Sequence, residues 1–208
     1  MHRAVKPVLV LLCSLPACQL LLWAVFDRLG PNPAEALIRG TGDWTLRFLC
    51  VALAVTPLRV LTSTLALARL RRSLGLTVFA YALLHALCYG WLDMGFDWGD
   101  MALDIAKRPF ILVGFVAACL LLLLAVTSWN GAVRRLGARR WQALHRSVYA
   151  VAVLSILHFY WMRAGKQNFA EVAVYAGVLG LLLAWRLQRR LRAGARGASG
   201  PRSTRADG

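Results

Sequence analysis

The chain has 208 residues, 59% of them hydrophobic and 16% charged, with a mean hydropathy of +0.58 and a formal net charge of +16. Soluble domains usually carry about 25% charged residues, so this composition argues against a soluble domain and indicates an integral membrane protein. The positive charge requires no nucleic-acid partner, because a basic face beside anionic lipid headgroups accounts for it.

Six apolar runs are long enough to cross a bilayer, which takes about 20 apolar residues per helix. They lie at 8–26, 44–62, 75–92, 110–128, 141–162 and 170–186. We predict an all-α integral membrane protein in which a bundle of about six transmembrane helices fills residues 8–186. The first run has no convincing small-residue cleavage site directly after it, so we expect it to be retained as a helix rather than removed as a signal peptide.

The charged residues predict how the bundle is oriented. With the N-terminus placed in the cytoplasm, 18 of the 25 basic residues fall on the inner side and eight of the nine acidic residues on the outer side. This is the positive-inside pattern of membrane proteins. We therefore expect both termini to be cytoplasmic, with residues 1–7 as a short N-terminal segment and residues 187–208 as a disordered, arginine-rich tail.

Three histidines lie inside apolar runs of membrane length: His85, His145 and His158. An imidazole is costly in lipid unless its ring nitrogens are occupied, and an axially ligated haem iron occupies one of them. Since a helix rises by about 1.5 Å per residue, His85 and His158 both fall in the outer half of the membrane, whereas His145 lies near the inner face. We predict that His85 and His158 clamp one haem between the third and fifth spans. The alternative is that each histidine only bonds a helix carbonyl or a neighbouring hydroxyl.

The number of histidines limits the number of haems. Two haems with two histidine ligands each need four such residues, and only three lie in the spans. On one continuous helix the 13 residues from His145 to His158 rotate the side chain by about 220°, so the two do not share a face. We expect one haem at His85 and His158; a second haem, at His145, would need a different sixth ligand or none. No CxxCH motif occurs, so any haem is of the b type.

The inner surface carries two clusters of arginines, one at Arg71 and Arg72 and one at residues 134–140. Arginine forks suit phosphate oxygens, although ordinary positive-inside charge explains any single arginine. Trp141 is placed either to stack on a ring or to anchor the helix at the interface. The outer segment 93–108 has four aspartates at nearly helical spacing, which predicts a short amphipathic helix with its acids outward. Its role is either a docking surface for an electron acceptor or a solvated loop.

Several segments resemble the MsrQ family, the YedZ-type haem-binding membrane subunits of the bacterial periplasmic methionine sulfoxide reductase system. The longest is RRSLGLTVFAYALLH, from Arg71 to His85. The others are TPLR (Thr56 to Arg59), KRPF (Lys107 to Phe110), TSW (Thr127 to Trp129), WQALHRSVY (Trp141 to Tyr149) and LHFYW (Leu157 to Trp161). Their order and spacing cover about residues 8–186, and the family belongs to the ferric-reductase-like transmembrane group.

The resemblance implies a specific function. Such proteins bind haem b and FMN in the bacterial inner membrane and take electrons from the quinone pool or a cytosolic flavin reductase. They pass these electrons to a periplasmic molybdopterin-containing catalytic subunit that reduces methionine sulfoxide in oxidised envelope proteins. His85, His145 and His158 match the three membrane histidines of the family. On the FMN side the resemblance points to Arg71, with Arg72 behind it, and to Trp141 and His145 as neighbours.

Three functions stay open at the level of sequence. The first is this electron-transfer subunit, which would catalyse no reaction of its own. The second is a ferric reductase or another quinol-linked cytochrome b, which often carries a cytosolic flavin and nicotinamide domain; the sequence has no GxGxxG motif and little chain after residue 192 for one. The third is a small transporter or assembly factor without a redox centre.

Overall fold

A computed structural model of the chain describes residues 5–164, 167 and 169–198, and every element in this part is helical. The α-helices are α1 (Val5–Val25), α2 (Pro33–Leu61), α3 (Leu70–Cys88), α4 (Trp98–Lys107), α5 (Pro109–Val126), α6 (Asn130–Leu136), α7 (Ala138–His145), α8 (Val148–Ala164) and α9 (Ala170–Ala198). A 3₁₀ turn (Leu65–Arg69) precedes α3, and a π-helical turn (Tyr89–Asp93) follows it. The predicted all-α class is confirmed.

Six stretches of the described chain are long and apolar enough to span a membrane. They are α1, α2, α3 with its flanking turns, α5, α7 together with α8, and α9. The most extensive packing joins α2 to α3 and α5 to α8; α3 also contacts α5, and α9 packs on α2 and α8. Leu49, Val78, Val151 and Leu179 are almost completely buried where these helices meet. The predicted six-span bundle is confirmed.

The two ends of the bundle differ in charge. We call the end formed by residues 59–72, 127–147 and 186–198 the basic end. The end formed by residues 27–43, 89–108, 163–164, 167 and 169–171 is the acidic end. Every aspartate and glutamate of the described chain belongs to the acidic end. This separation agrees with the charge pattern from which we predict that the basic end faces the cytoplasm.

The second helix is longer than hydropathy indicated, since α2 begins at Pro33 and not at 44. Asn32 caps it by accepting a hydrogen bond from the backbone N–H of Glu35 at 3.1 Å, and Pro33 occupies the first helical position. Both are common signals of a helix start. The added turns, residues 33–43, contain charged residues, and Arg39 pairs with Glu35 at 2.6 Å. They are therefore not part of the apolar run.

The predicted continuous helix over 141–162 is wrong in one respect, because α7 ends at His145 and α8 starts at Val148. The turn between them contains Arg146 and Ser147, and serine favours non-helical backbone because its hydroxyl competes for backbone hydrogen bonds. The rotation of about 220° between His145 and His158 holds only for one unbroken helix, so it does not describe the folded chain.

The C-terminal segment also differs from the sequence prediction. Helix α9 continues to Ala198, whereas a disordered tail was expected from residue 187. Leucine, arginine and glutamine are good helix formers. The Arg189 guanidinium also lies over the Trp185 ring at 5.0 Å. The rest of the predicted tail, residues 199–208, and the first four residues of the N-terminal segment lie outside the described residues.

Proline interrupts the backbone hydrogen bonding of α1, and the hydroxyl of a tyrosine on α3 bonds the two backbone groups that are left unpaired. Pro16 lies inside α1, where its ring opens the helix locally. The Tyr81 hydroxyl donates to the carbonyl of Cys13 at 2.7 Å and accepts from the N–H of Ala17 at 3.0 Å. These two groups would otherwise bond each other along α1. Tyr81 thus fixes α1 to α3 through a hydroxyl inserted into the helix.

A second proline leaves a carbonyl of α2 without its helical donor, and an arginine of α9 donates a hydrogen bond to it. Pro57 has no N–H, so the carbonyl of Leu53, four residues earlier, lacks its helical donor. Arg186 supplies this donor through Nη2 and also donates from Nη1 to the carbonyl of Leu182 at 3.0 Å. Both nitrogens of the guanidinium fork are thereby held at the basic end.

Candidate functional site

His85 on α3 and His158 on α8 face each other across the bundle. Their ring centres are 6.3 Å apart, and the ring planes make an angle of 75°. The structure therefore brings together the pair that depth along the spans had singled out. The site lies towards the acidic end, close to where α2 and α5 begin.

Each of these rings is hydrogen-bonded through the same nitrogen. Nδ1 of His85 lies 2.8 Å from the carbonyl oxygen of Ile38, and Nδ1 of His158 lies 2.7 Å from that of Phe110. A carbonyl oxygen only accepts, so Nδ1 carries the proton and donates it in both rings. In the neutral imidazole Nε2 then has the free lone pair, which is the arrangement found in metal-binding histidines.

A glycine lies under each imidazole, four residues after the residue that accepts its hydrogen bond. A Cβ built on Gly42 would lie 3.2 Å from Cε1 and Nδ1 of His85, and one built on Gly114 would lie 2.8 Å from the same atoms of His158. Both rings thus lie against the backbone of a neighbouring helix, α2 or α5. The sequence did not single out these glycines or the carbonyls beside them; the available signal was a glycine inside an apolar run for Gly114 and just before one for Gly42.

The histidine pair fits two protein ligands of a haem iron. No group of three or more His, Cys, Asp or Glu that could hold a metal ion occurs in the described part of the chain, so a bare ion has too few protein ligands. Haem iron takes its other ligands from the porphyrin. Metal–imidazole bonds are about 2 Å long, so two imidazoles that held one ion between them would have ring centres roughly 6 Å apart. The observed 6.3 Å agrees with this value.

His145 has a different environment at the basic end. Its Nε2 lies 3.1 Å from Oγ1 of Thr127, which itself donates to the carbonyl of Leu123 at 2.7 Å. Thr127 therefore accepts from Nε2 of His145, so the neutral ring is protonated on the nitrogen that is free in the other two histidines. Trp141 stacks on the ring at 3.9 Å and donates its Nε1 hydrogen to the carbonyl of Thr127. Iron ligation through Nε2 would require this contact with Thr127 to break.

A cavity of about 290 Å³ opens at the basic end between α2, α3, α8 and α9. We call it the basic pocket. It is lined by Thr56, Arg59, Val60, Arg71, Tyr149, Trp185, Arg186, Arg189 and Arg190. Of the residues expected on the FMN side, Arg71 lines the pocket and Trp141 and His145 form the stacked pair. Arg72 is outside the lining and donates from Nη1 to Oδ1 of Asn130 at 3.3 Å.

The acidic end carries the short helix that the aspartate spacing predicts. Helix α4 starts after Asp97, whose side chain caps it by accepting from the N–H of Asp100 at 2.9 Å. Asp104 does not point outward as expected: it accepts from the Tyr89 hydroxyl at 2.6 Å and pairs with Arg108 at 2.8 Å. This contact ties α4 to the π-helical turn that ends α3.

A known protein family matches the central part of the chain and defines the class of protein. The family described as ferric reductase like transmembrane component matches residues 41–156, which include His85 and His145 and end two residues before His158. No solved structure matches the chain. The six-span bundle with facing histidines on two spans is thus that of a ferric-reductase-like transmembrane protein.

Relatives of high sequence identity identify the family within this class. The chain is 60% identical to a protein of Polaromonas naphthalenivorans over 90% of its own length and 85% of the relative's. It is 52% identical to one of Ralstonia nicotianae (93% and 90%) and 49% identical to one of Herminiimonas arsenicoxydans (89% and 87%). Each is named protein-methionine-sulfoxide reductase heme-binding subunit MsrQ. The chain belongs to the MsrQ family, which confirms the resemblance drawn from its motifs.

Proposed function

We propose that the chain is the haem-binding membrane subunit of a methionine sulfoxide reductase and carries electrons through haem b. The observation that carries this proposal is the facing pair of His85 and His158, 6.3 Å apart, each protonated on Nδ1. The names of the relatives support it, since they combine haem binding with methionine sulfoxide reduction.

The residues around the pair have separate tasks. His85 and His158 would hold the iron through Nε2, while the carbonyls of Ile38 and Phe110 fix the rings and make them more basic. Bound haem supplies one-electron redox chemistry. The rings are partly buried among the apolar helices α2, α3, α5 and α8. The identity of these two ligands and their burial would set the reduction potential.

We propose that electrons enter at the basic end, from the quinone pool or a cytosolic flavin reductase, and leave at the acidic end. The acceptor is a periplasmic molybdopterin-containing catalytic subunit that repairs oxidised periplasmic proteins, and the membrane is the bacterial inner membrane. The charge difference between the ends supports this direction, because basic segments face the cytoplasm. The histidine pair near the acidic end supports transfer to an outer partner.

Helix α4 is our proposed docking surface for that partner. Asp93, Asp97 and Asp100 are exposed there, and Asp104 is held by Tyr89 and Arg108. Exposed carboxylates guide a basic partner surface and set the rate of association more than the final affinity. Transfer to the catalytic subunit should therefore slow as ionic strength rises.

FMN is the second cofactor that we propose, at the basic end. Arg71 lines the basic pocket and is within electrostatic range of His145. His145 and Trp141 form the neighbouring stacked pair, held by Thr127. A second haem at His145 is less well supported than FMN, because Nε2 of His145 is bonded to Thr127.

A ferric reductase is the second candidate function, favoured by the description of the matching family. The deciding experiment reduces the haem of the purified chain with a quinol and then adds either ferric citrate or the catalytic subunit with a methionine sulfoxide substrate. We expect rapid reoxidation only with the catalytic subunit and its substrate. Reoxidation by ferric citrate alone would identify a ferric reductase, and a colourless preparation would indicate a protein without a redox centre.

A further inference from the structure

Helix α4 is connected at its two ends to the two helices that border the histidine pair. It follows the π-helical turn at the end of α3, the helix that carries His85, and its last residue, Lys107, lies two positions before the start of α5. On α5, the carbonyl of Phe110 accepts the hydrogen bond from His158. One short helix at the acidic end thus joins the helix of the first imidazole to the helix that holds the second.

Asp104 is the residue of α4 where these two connections meet. Its Oδ2 accepts from the Tyr89 hydroxyl at 2.6 Å, and its Oδ1 pairs with Nε of Arg108 at 2.8 Å. The backbone carbonyl of Asp104 also accepts from the N–H of Arg108 at 3.0 Å. The carboxylate is only 11% exposed although α4 lies at the surface. Both of its oxygens are therefore used to hold the end of α3 and the start of α5 together.

Tyr89 connects Asp104 to the first imidazole. The N–H of Tyr89 is shared between the carbonyls of Ala86 and His85, so its backbone is bonded to the turn of α3 that carries the His85 ring. The π-helical turn begins at Tyr89, and single π-helical turns occur frequently at functional sites. A displacement of Tyr89 would therefore move the last turn of α3 and the imidazole on it.

Arg108 connects Asp104 to the second imidazole. It is the cap residue of α5, and its carbonyl accepts from the N–H of Leu112 at 3.1 Å. This bond encloses the first turn of α5, which contains Phe110. Because the Phe110 carbonyl holds Nδ1 of His158 at 2.7 Å, the position of Arg108 determines where the acceptor for that ring lies.

Close packing holds the segment between the π-helical turn and α4 in one conformation. Gly90 is buried, and a Cβ built on it would lie 3.1 Å from the Phe96 ring and 3.4 Å from Cε of Met101 on α4. The N–H of Phe96 donates to the carbonyl of Gly90 at 2.7 Å. Phe96 has a φ of 59°, which a bulky residue adopts only where its surroundings impose it. Helix α4 is therefore fixed against the end of α3.

We propose that Asp104 is a positioning residue of the haem site. By binding Tyr89 and Arg108 at the same time, it fixes the end of α3 relative to the start of α5 and so sets the orientation of the two imidazoles. This inference rests on the proposed function, in which His85 and His158 hold the haem. The alternative is that Asp104 only fastens α4 to the bundle, which would affect stability and leave the haem unchanged.

The test uses the full-length, haem-loaded chain in detergent. Tyr89→Phe removes one bond to Asp104 without changing any charge, and Asp104→Asn removes the charge while keeping the shape of the side chain. Asp100→Asn is the matched control, because it makes the same change at an exposed residue of the same helix. Three quantities are measured. They are the electron paramagnetic resonance signal of the ferric haem, which depends on the orientation of the imidazole planes, the rate of haem transfer to excess apomyoglobin, and the melting temperature.

We expect Tyr89→Phe and Asp104→Asn each to change the resonance signal and to speed haem loss by about three- to tenfold. Groups that hold metal ligands in place usually affect metal affinity by about 10–100-fold, and Asp104 acts through one further residue. The double variant should lose haem little faster than the more affected single variant, because both changes break the same bond. Asp100→Asn should behave like the wild type.

A lower melting temperature with an unchanged resonance signal would overturn the proposal, because Asp104 would then only fasten α4. An equal effect of Asp100→Asn would also overturn it, by tracing the change to charge alone. If Asp104→Asn does not fold, Tyr89→Phe decides the question, since it removes a single oxygen atom. A wild-type chain that takes up no haem would overturn the proposed function itself, whereas a normal wild-type signal with unaffected variants would overturn this inference alone.

Discussion

Gly114 lies directly beneath the imidazole of His158, so close that a methyl group on its Cα would be 2.8 Å from two ring atoms. The same ring donates a hydrogen bond to the carbonyl of Phe110. The ring cannot move away without breaking that bond. Gly42 holds the same position under His85, with a contact of 3.2 Å.

Gly114→Ala should therefore displace His158 and weaken haem binding, shifting the Soret band and lowering the haem content by half or more. Gly42→Ala should have a smaller effect of the same kind, because its contact is longer. Gly180→Ala in α9 is the control, since a Cβ there meets nothing within 4 Å. Haem spectra and quantification check these effects. Unchanged spectra in Gly114→Ala would show that the packing of this ring does not position the ligand.

Tyr81→Phe removes the hydroxyl that joins Ala17 to Cys13 across the opened turn of α1. Losing these two hydrogen bonds should destabilise the bundle by about 1–2 kcal/mol. Thermal unfolding in detergent measures the change. Tyr160→Phe is the control, because Tyr160 is 44% exposed. Equal melting temperatures for the two variants would mean that the hydroxyl bridge contributes nothing to stability.

Pro57 and Arg186 should be energetically coupled. Arg186→Gln removes the donor to the Leu53 carbonyl, which Pro57 cannot supply. Leaving the Leu53 carbonyl without a hydrogen-bond donor should lower the free energy of unfolding by about 1–3 kcal/mol. In a Pro57→Ala background the restored N–H bonds that carbonyl, so the same change should cost about 1 kcal/mol less. A double-mutant cycle measured by unfolding gives the coupling, and strictly additive costs would contradict this link between α2 and α9.

Arg163 at the end of α8 joins two carboxylates, Glu171 at 2.7 Å and Asp43 at 3.6 Å. Its side chain is only 15% exposed, so Arg163→Gln leaves Asp43 half-buried without its cation. This change should cost about 1–3 kcal/mol, discounted for the partial exposure of the pair.

Arg39→Gln is the comparison for Arg163→Gln, because it breaks a more exposed pair with Glu35 on one helix. Such a pair should contribute only about 0.5 kcal/mol or less. Unfolding measurements on both variants compare the two losses. Equal small losses would show that the ion pairs of Arg163 are screened like surface pairs.

The six spans and the histidine pair were predictable because hydropathy and helix rise are local properties of the sequence. The surroundings of the pair were not. Ile38 and Gly42 lie in the polar first turns of α2, outside the apolar run, and their proximity to His85 depends on how α2 packs against α3. Only the folded chain shows that the rings have matching carbonyl and glycine contacts.

The basic pocket illustrates the same limit. Arg71 was identifiable from its motif, but Arg189 and Arg190 fell in a segment expected to be disordered. Their composition suggested a tail, although α9 continues the last span through this segment to Ala198. Its leucines, arginines and glutamine are good helix formers, which is the reason the helix extends. The rotation of each helix and the order of its neighbours decide which arginines of a basic surface line one pocket. The local sequence pattern determines neither of these.

The haem content of four purified proteins tests the central claim most directly: wild type, His85→Ala, His158→Ala and His145→Ala. Absorption spectra before and after dithionite reduction, with haem quantification, give the result. We predict that His85→Ala and His158→Ala each lose most of the Soret absorbance, whereas His145→Ala keeps it, because His145 bonds Thr127 and lies at the other end of the bundle. A full and unshifted Soret band in both His85→Ala and His158→Ala would contradict the account.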